Sequence, residues 1–171
     1  VFTAKEQQVF NALRKRLIRL GLRDVNLTVE KTLARTVNIN GQNVHVDPEG
    51  QFDAKDGNRI ISLAMEAVDP NATAQEQFDA LKGIMNHEVI HALKNLGLFT
   101  KQEYASLVKA AKAKKYVAIK DGVPTERKYS YYDRARSMYE GIGSSEATIE
   151  EEAVAELFRD YADNKIKLSG K

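Results

Sequence analysis

The sequence predicts an α+β domain in which one helix precedes a small, mostly antiparallel sheet and further helices follow. The apolar residues repeat with a helical period in residues 1–24, with a period of two in residues 25–66, and again with a helical period from residue 73. Helix starts are marked by four Thr-x-x-Glu sequences, which are typical of capping boxes. Length and composition suit one globular domain over residues 1–171. The four boxes begin at Thr3, Thr73, Thr100 and Thr148.

The helical segments are delimited by these boxes and by glycines. The N-terminal helix should end at Gly21, and the helix of residues 73–97 should end at Asn95-Leu96-Gly97. The C-terminal part, residues 100–165, should be helical, with the segment from Val117 to Tyr129 as a mobile loop. Its expected helices span about 101–115, 130–140 and 149–165.

The sheet is expected between residues 25 and 66, where apolar and polar residues alternate. Asn40-Gly41 lies between two alternating runs and indicates a hairpin, because both turn residues adopt positive φ. A second turn is expected at Asp56-Gly57-Asn58, before an apolar strand at 59–65.

Composition excludes several kinds of function. The chain contains no cysteine, which rules out thiol catalysis and Cys-ligated zinc. A net charge of +2 is too small to predict a polyanionic partner. There is no apolar run of membrane-spanning length and no secretory signal pattern. We therefore expect no membrane partner, and either a cytoplasmic location or delivery into a host cell as part of a larger polypeptide.

The strongest chemical signal is His87-Glu88-Val89-Ile90-His91, an H-E-x-x-H motif inside the helix of residues 73–97. Residues four apart on a helix have Cβ atoms about 5–6 Å apart, so both imidazoles can reach one ion. Glu88 lies about 100° from His87 around the helix, where it can take a proton from a zinc-activated water. The apolar stripe of this helix is nearly opposite both histidines, so they should face a second surface. We expect one Zn²⁺ per chain, with Glu88 as general base.

A third zinc ligand should come from the acidic run that opens the last helix. Glu152 and Glu156 are four apart and share a face, so one can bind the metal while the other accepts the N–H of a ligating histidine. We assign Glu152 as the ligand and Glu156 as the orienting partner, with Glu156 as the alternative ligand. Glu150 and Glu151 are explained as charges that favour a helix N-terminus.

Residues 87–91 together with Glu152 resemble a gluzincin-type zinc metallopeptidase, the zincin branch with HExxH and a distant glutamate. Flanking sequences over about residues 25–162 resemble the metallopeptidase domain of the large polyvalent proteins of bacteriophages and conjugative elements. The resemblance implies a zincin-like fold with HExxH on its active-site helix, one zinc ion and endopeptidase activity. It also implies origin as a segment of a larger polypeptide.

The zincin resemblance further implies that the strand before the active-site helix is a sheet edge that binds extended substrate by main-chain pairing. A buried core strand explains this apolar run equally well. A donor to the oxyanion is also required, and Tyr129, Tyr131, Tyr132, Tyr139 or His45 could supply it. The predicted substrate-binding residues are Ile60, Ile61, Ser62, Leu63 and Ala64.

An alternative is a non-catalytic binding or regulatory module that keeps a zincin scaffold. A basic run between Lys109 and Lys120 would be its contact with nucleic acid, although a solvated helix face explains the run better. The intact Glu88 favours the enzyme, because a scaffold without chemistry does not need that carboxylate. We therefore expect a polypeptide substrate and no nucleic-acid partner.

Overall fold

The computed structural model describes residues 2–167 and is a mixed α/β structure with five α-helices and small sheets. The chain divides into two compact units, with the division between Glu88 and Val89. This point lies inside one uninterrupted helix, α2. The expectation of a single domain stays a prediction.

The first unit contains a helix, five strands and most of α2. Its helix starts form as predicted, because Thr3 and Thr73 each accept a hydrogen bond from the backbone N–H of the glutamate three residues on, and that glutamate accepts from the threonine N–H. The elements are α1 (Ala4–Arg19), β1 (Asn26–Glu30), β2 (Arg35–Ile39), β3 (Gln42–Val46), β4 (Gly50–Lys55), β5 (Asn58–Ala64) and α2 (Ala74–Asn95).

The predicted hairpin at Asn40-Gly41 is confirmed: φ is 53° at Asn40 and 83° at Gly41, and the turn joins β2 to β3. The turn at Asp56-Gly57 is also confirmed, but it joins β5 to a strand, β4, that the sequence analysis did not assign. β2 and β3 form a separate two-stranded sheet. The remaining strands form a sheet of order β1-β5-β4, with β1 parallel and β4 antiparallel to β5.

The predicted edge position of residues 60–64 is wrong. These residues belong to β5, the central strand, and every one of them pairs with β1 on one side, while β4 pairs along most of the other side. Residues 61–64 are buried, and the Ser62 hydroxyl accepts a hydrogen bond from Thr28. A strand paired on both sides offers no main-chain groups to a substrate, so the core alternative holds for β5.

The second unit surrounds a core that includes Ile90, Tyr131 and Leu157. The predicted loop at 117–129 is wrong, because this segment forms the hairpin β6–β7, which turns at Asp121-Gly122 with φ of 53° and 78°. Asp-Gly between two extended runs is the same hairpin signal as Asn40-Gly41. The elements of this unit after α2 are α3 (Lys101–Ala113), β6 (Lys115–Lys120), β7 (Val123–Ser130), α4 (Tyr131–Tyr139) and α5 (Glu146–Ala162).

The last helix begins one turn earlier than predicted. Its N-cap is Ser145, whose side chain accepts the backbone N–H of Thr148, so Thr148 lies inside α5. The cap of α3 at Thr100 is confirmed as a complete capping box. None of the helices in residues 2–167 combines the length and the apolar character needed to cross a membrane.

Candidate metal centre

The HExxH motif lies on α2, as predicted, and α2 is buried along most of its middle turns. Leu81, Met85, Val89 and Ala92 are fully buried, which confirms the core-facing side of the helix. His87 and His91 are half-buried, and Glu88 is buried. Because these residues belong to one continuous helix, their mutual positions follow from helix geometry.

His91 lies between two consecutive carboxylates of α5. Its Nδ1 is 2.5 Å from Oε2 of Glu151, and its Nε2 is 3.4 Å from Oε1 of Glu152. An ionised carboxylate can only accept a hydrogen bond, so Nδ1 carries the proton that is donated to Glu151. The lone pair therefore resides on Nε2, and it faces the Glu152 carboxylate.

His87, His91 and Glu152 form a group whose ligand atoms all lie within 4.8 Å of one another. Two imidazole nitrogens and one carboxylate oxygen are a donor set that suits zinc. In a tetrahedral site with bonds of about 2.1 Å, neighbouring ligand atoms are about 3.4 Å apart. The separation of 3.4 Å between His91 Nε2 and Glu152 Oε1 equals that edge. The donor types and this spacing both fit a metal ion.

The roles of the neighbouring glutamates differ from those assigned from the sequence. Glu151 is one turn inside α5 rather than at its start. It accepts a hydrogen bond from His91, the role that the sequence analysis assigned to Glu156. Glu150 pairs with Lys112 at 3.1 Å. Glu156 lies 3.4 Å from Arg134 and 3.8 Å from Arg159, and its contact with a ligating histidine stays a prediction.

The sheet edge next to Glu88 is β4. A Cβ atom added to Gly50, the first residue of β4, would lie 2.6 Å from Cγ2 of Ile84 and 3.4 Å from Cγ of Glu88. Only glycine lets the strand backbone approach Ile84 and Glu88 of α2 this closely. In the part of the chain that the structure describes, β4 pairs with β5 alone, so its other edge has no strand partner.

Two of the phenols considered as oxyanion donors have their hydroxyls engaged elsewhere. Tyr131 is buried and donates to Asp160, and Tyr132 donates to Glu146. Tyr129 stacks on Tyr116, with 5.9 Å between ring centroids. His45 lies exposed on β3.

The sequence analysis missed Tyr104, a half-buried residue of α3. Its hydroxyl oxygen is buried and has no hydrogen-bond partner among the described residues. Burial, together with the negative charges of Glu151 and Glu150, raises the pKa of Tyr104 to about 12. It lines a cavity of about 550 Å³ together with Lys94, Phe99 and Glu150. Nothing in its sequence spacing distinguishes it from a packing tyrosine.

Comparison of the chain with protein-family models, with curated proteins and with solved structures finds no match. The residues described so far define a His/His/Glu group that could bind a metal, next to a buried glutamate on the same helix.

Proposed function

We propose that the protein is a zinc-dependent endopeptidase of the gluzincin type, with a zincin-like fold. The observation that carries the proposal is the group of His87, His91 and Glu152, in which the last residue lies 61 positions after His91 in the sequence and still faces its Nε2. A helix bearing HExxH beside an open, antiparallel edge strand is the arrangement that such an enzyme needs.

In this proposal three side chains bind the ion and a fourth keeps one of them correctly oriented. His87, His91 and Glu152 are the ligands. Glu151 fixes the ring of His91 and its proton on Nδ1, so that Nε2 is the ligating atom. When bound, the zinc ion would act as a Lewis acid and lower the pKa of a water molecule, so that the water could lose a proton and attack a carbonyl near neutral pH.

Glu88 is the general base. It lies about 100° from His87 around α2 and is buried, so its carboxylate can accept the proton of the attacking water. The same carboxylic acid can then give that proton to the amine nitrogen as the peptide bond breaks. Both proton transfers use the Glu88 carboxylate, so cleavage should be most sensitive to loss of the charge on this residue.

The peptide is expected to bind along β4 rather than along β5. β4 has an open edge, begins beside Glu88, and can pair with an extended chain through its own N–H and C=O groups. Main-chain pairing holds a peptide extended without demanding a particular side chain at every position. We therefore propose an extended polypeptide as substrate class, with the correction that β4 takes the role assigned to residues 60–64.

The test is digestion of a diverse synthetic peptide library by the zinc-loaded protein, with cleavage products identified by mass spectrometry. New peptide termini should appear with zinc and disappear after chelation and removal of the metal. A protein that binds zinc but generates no new termini would contradict the endopeptidase and would favour the non-catalytic module.

A further inference from the structure

The first unit contains a strongly basic groove between α1 and α2 that the proposed peptidase does not use. It has a volume of about 670 Å³ and includes Lys15, Arg16 and Arg19 of α1 with Lys82 and Phe78 of α2. Of the eight described residues that line it, four are cations and none is acidic. A concave surface lined by one sign of charge concentrates its potential on a ligand of the opposite sign.

Arg16 is held in a defined position by a residue of the helix that carries the proposed metal ligands. Its Nε and Nη2 both donate to Oδ1 of Asn86, at 3.0 and 2.8 Å, and Asn86 is fully buried. A guanidinium that is already ordered loses little conformational entropy when it binds a phosphate. The hydrogen bonds to Asn86 therefore fix the position of Arg16 in the groove before a ligand binds.

The other cations are available to a ligand. Lys15 and Arg19 are exposed, and neither they nor Lys82 form an ion pair within the described part of the chain. The basic run considered in the sequence analysis is different, because Lys112 pairs with Glu150 and Lys115 donates to the Lys128 carbonyl.

An aromatic ring accompanies these charges. Phe78 is half-buried, lines the groove and has the Lys82 Nζ at 5.7 Å from its ring centroid. Amide side chains of Gln8 and Asn11 also line it. Proteins bind single-stranded nucleic acids with cations that contact the phosphate backbone and with aromatic rings on which the bases stack. This groove offers both.

We propose that this groove binds the phosphate backbone of single-stranded nucleic acid, with a base against Phe78. The bases of a single strand are accessible, so one of them can contact Phe78 while the phosphates contact the exposed Lys15 and Arg19, whereas the bases of a duplex are paired with each other and a membrane has none. The net charge of +2 does not reveal this site, because the excess of positive charge is local. α1 alone has five cations and one acid.

The test is fluorescence anisotropy of a labelled 12-nucleotide single strand with the full chain over a range of salt concentrations. The log of the affinity should fall with log salt at a slope of about −2 to −3, as expected for three to four phosphate contacts. The double variant K15E/R19E should lose at least about tenfold in affinity and flatten the slope by about 1.4.

The matched control is K109E/K120E, which reverses two exposed lysines of the other basic run and changes the net charge equally, from +2 to −2. It should change the affinity less than about twofold. Equal losses in both variants, or no binding at low salt, would overturn the proposal. Stronger binding to duplex DNA, to inorganic polyphosphate or to phosphatidylserine vesicles than to the single strand would overturn it as well.

The result of this binding test does not depend on whether the proposed peptidase function is correct. K15E/R19E leaves the metal group untouched, so its zinc stoichiometry and any peptide cleavage should equal those of the parent protein. Unchanged circular dichroism and melting temperature in both variants show that a loss of affinity does not come from unfolding.

Discussion

The imidazole of His91 is held by two neighbouring residues of α5, with Nδ1 at 2.5 Å from Glu151 and Nε2 at 3.4 Å from Glu152. One carboxylate fixes the ring and the other faces its lone pair. Two adjacent glutamates thereby receive different roles from their positions on one helix.

Replacement of the two glutamates should separate ligand from orienting partner. Glu152→Ala removes a proposed ligand and should abolish stoichiometric zinc binding at micromolar metal. Glu151→Ala should weaken zinc binding by about 10- to 100-fold, the usual effect of losing a hydrogen-bond partner of a ligating histidine, and Glu151→Gln should restore part of the loss. Isothermal titration with zinc measures both. Glu150→Ala, which removes a pairing with Lys112 and leaves both carboxylates beside His91 in place, is the control, and equal losses in all three variants would refute the assignment.

Glu88→Gln should retain one zinc per chain and lose cleavage by about 10²- to 10⁴-fold, because the amide cannot accept the proton of the attacking water. The substitution preserves the shape of a buried side chain, so the fold should be kept. Rates on a peptide taken from the library digest, measured together with metal content, test this. Unchanged cleavage by the variant would remove Glu88 from the mechanism.

Gly50→Ala should destabilise the protein by about 1–3 kcal/mol, because the new methyl group would lie 2.6 Å from Ile84 and force β4 away from α2. The same displacement should lower cleavage, since the strand begins beside Glu88. Urea unfolding and cleavage rates are the measurements. The control is Gly141→Ala, where an added Cβ meets nothing within 4 Å and stability should change by less than about 1 kcal/mol. Equal stability of the two variants would show that β4 does not approach α2 closely.

Asp160 should make stability fall with rising pH. Burial raises its pKa above the ordinary value of 3.8, against the opposing effect of the hydrogen bond from Tyr131, so the folded state holds this proton more tightly than the unfolded state. The contribution is therefore complete below pH 3.8 and is lost as pH rises through the raised pKa.

Comparison with Asp160→Asn isolates this effect from other carboxylates. The unfolding free energy of the parent protein minus that of the variant should decrease as the pH rises above 3.8 and through the raised pKa of Asp160. Both should be measured in chelator, because zinc binding has its own pH dependence. A difference that grows with pH would mean that Asp160 is stabilised as the anion.

Local signals in the sequence predicted the parts of the fold that local chemistry determines. The threonine caps at residues 3, 73 and 100 and the turn at Asn40-Gly41 are satisfied by neighbours within four residues, so they can be recognised without tertiary structure. The predicted start of α5 was wrong because Ser145 and Thr148 are both able to cap the helix, and only Thr148 has a glutamate three residues later, as in a capping box. Ser145 caps the helix without that glutamate.

The metal group was predictable because His87 and His91 are related by helix geometry alone, and the acidic run restricts the third ligand to few positions. What could not be predicted depends on tertiary packing. The strand order that makes β4 the edge, and the contact of His91 with Glu151, both require the chain to be folded. The Asp121-Gly122 turn, by contrast, carries a local signal, since both of its residues adopt positive φ.

The most direct test of the account is a crystal structure of the zinc-loaded protein with anomalous diffraction recorded at the zinc absorption edge. It should contain one peak per chain, about 2.0–2.2 Å from Nε2 of His91, from a ring nitrogen of His87 and from a carboxylate oxygen of Glu152. A crystal grown in excess zinc without a peak within reach of these three side chains would contradict the metal site and the peptidase proposed from it.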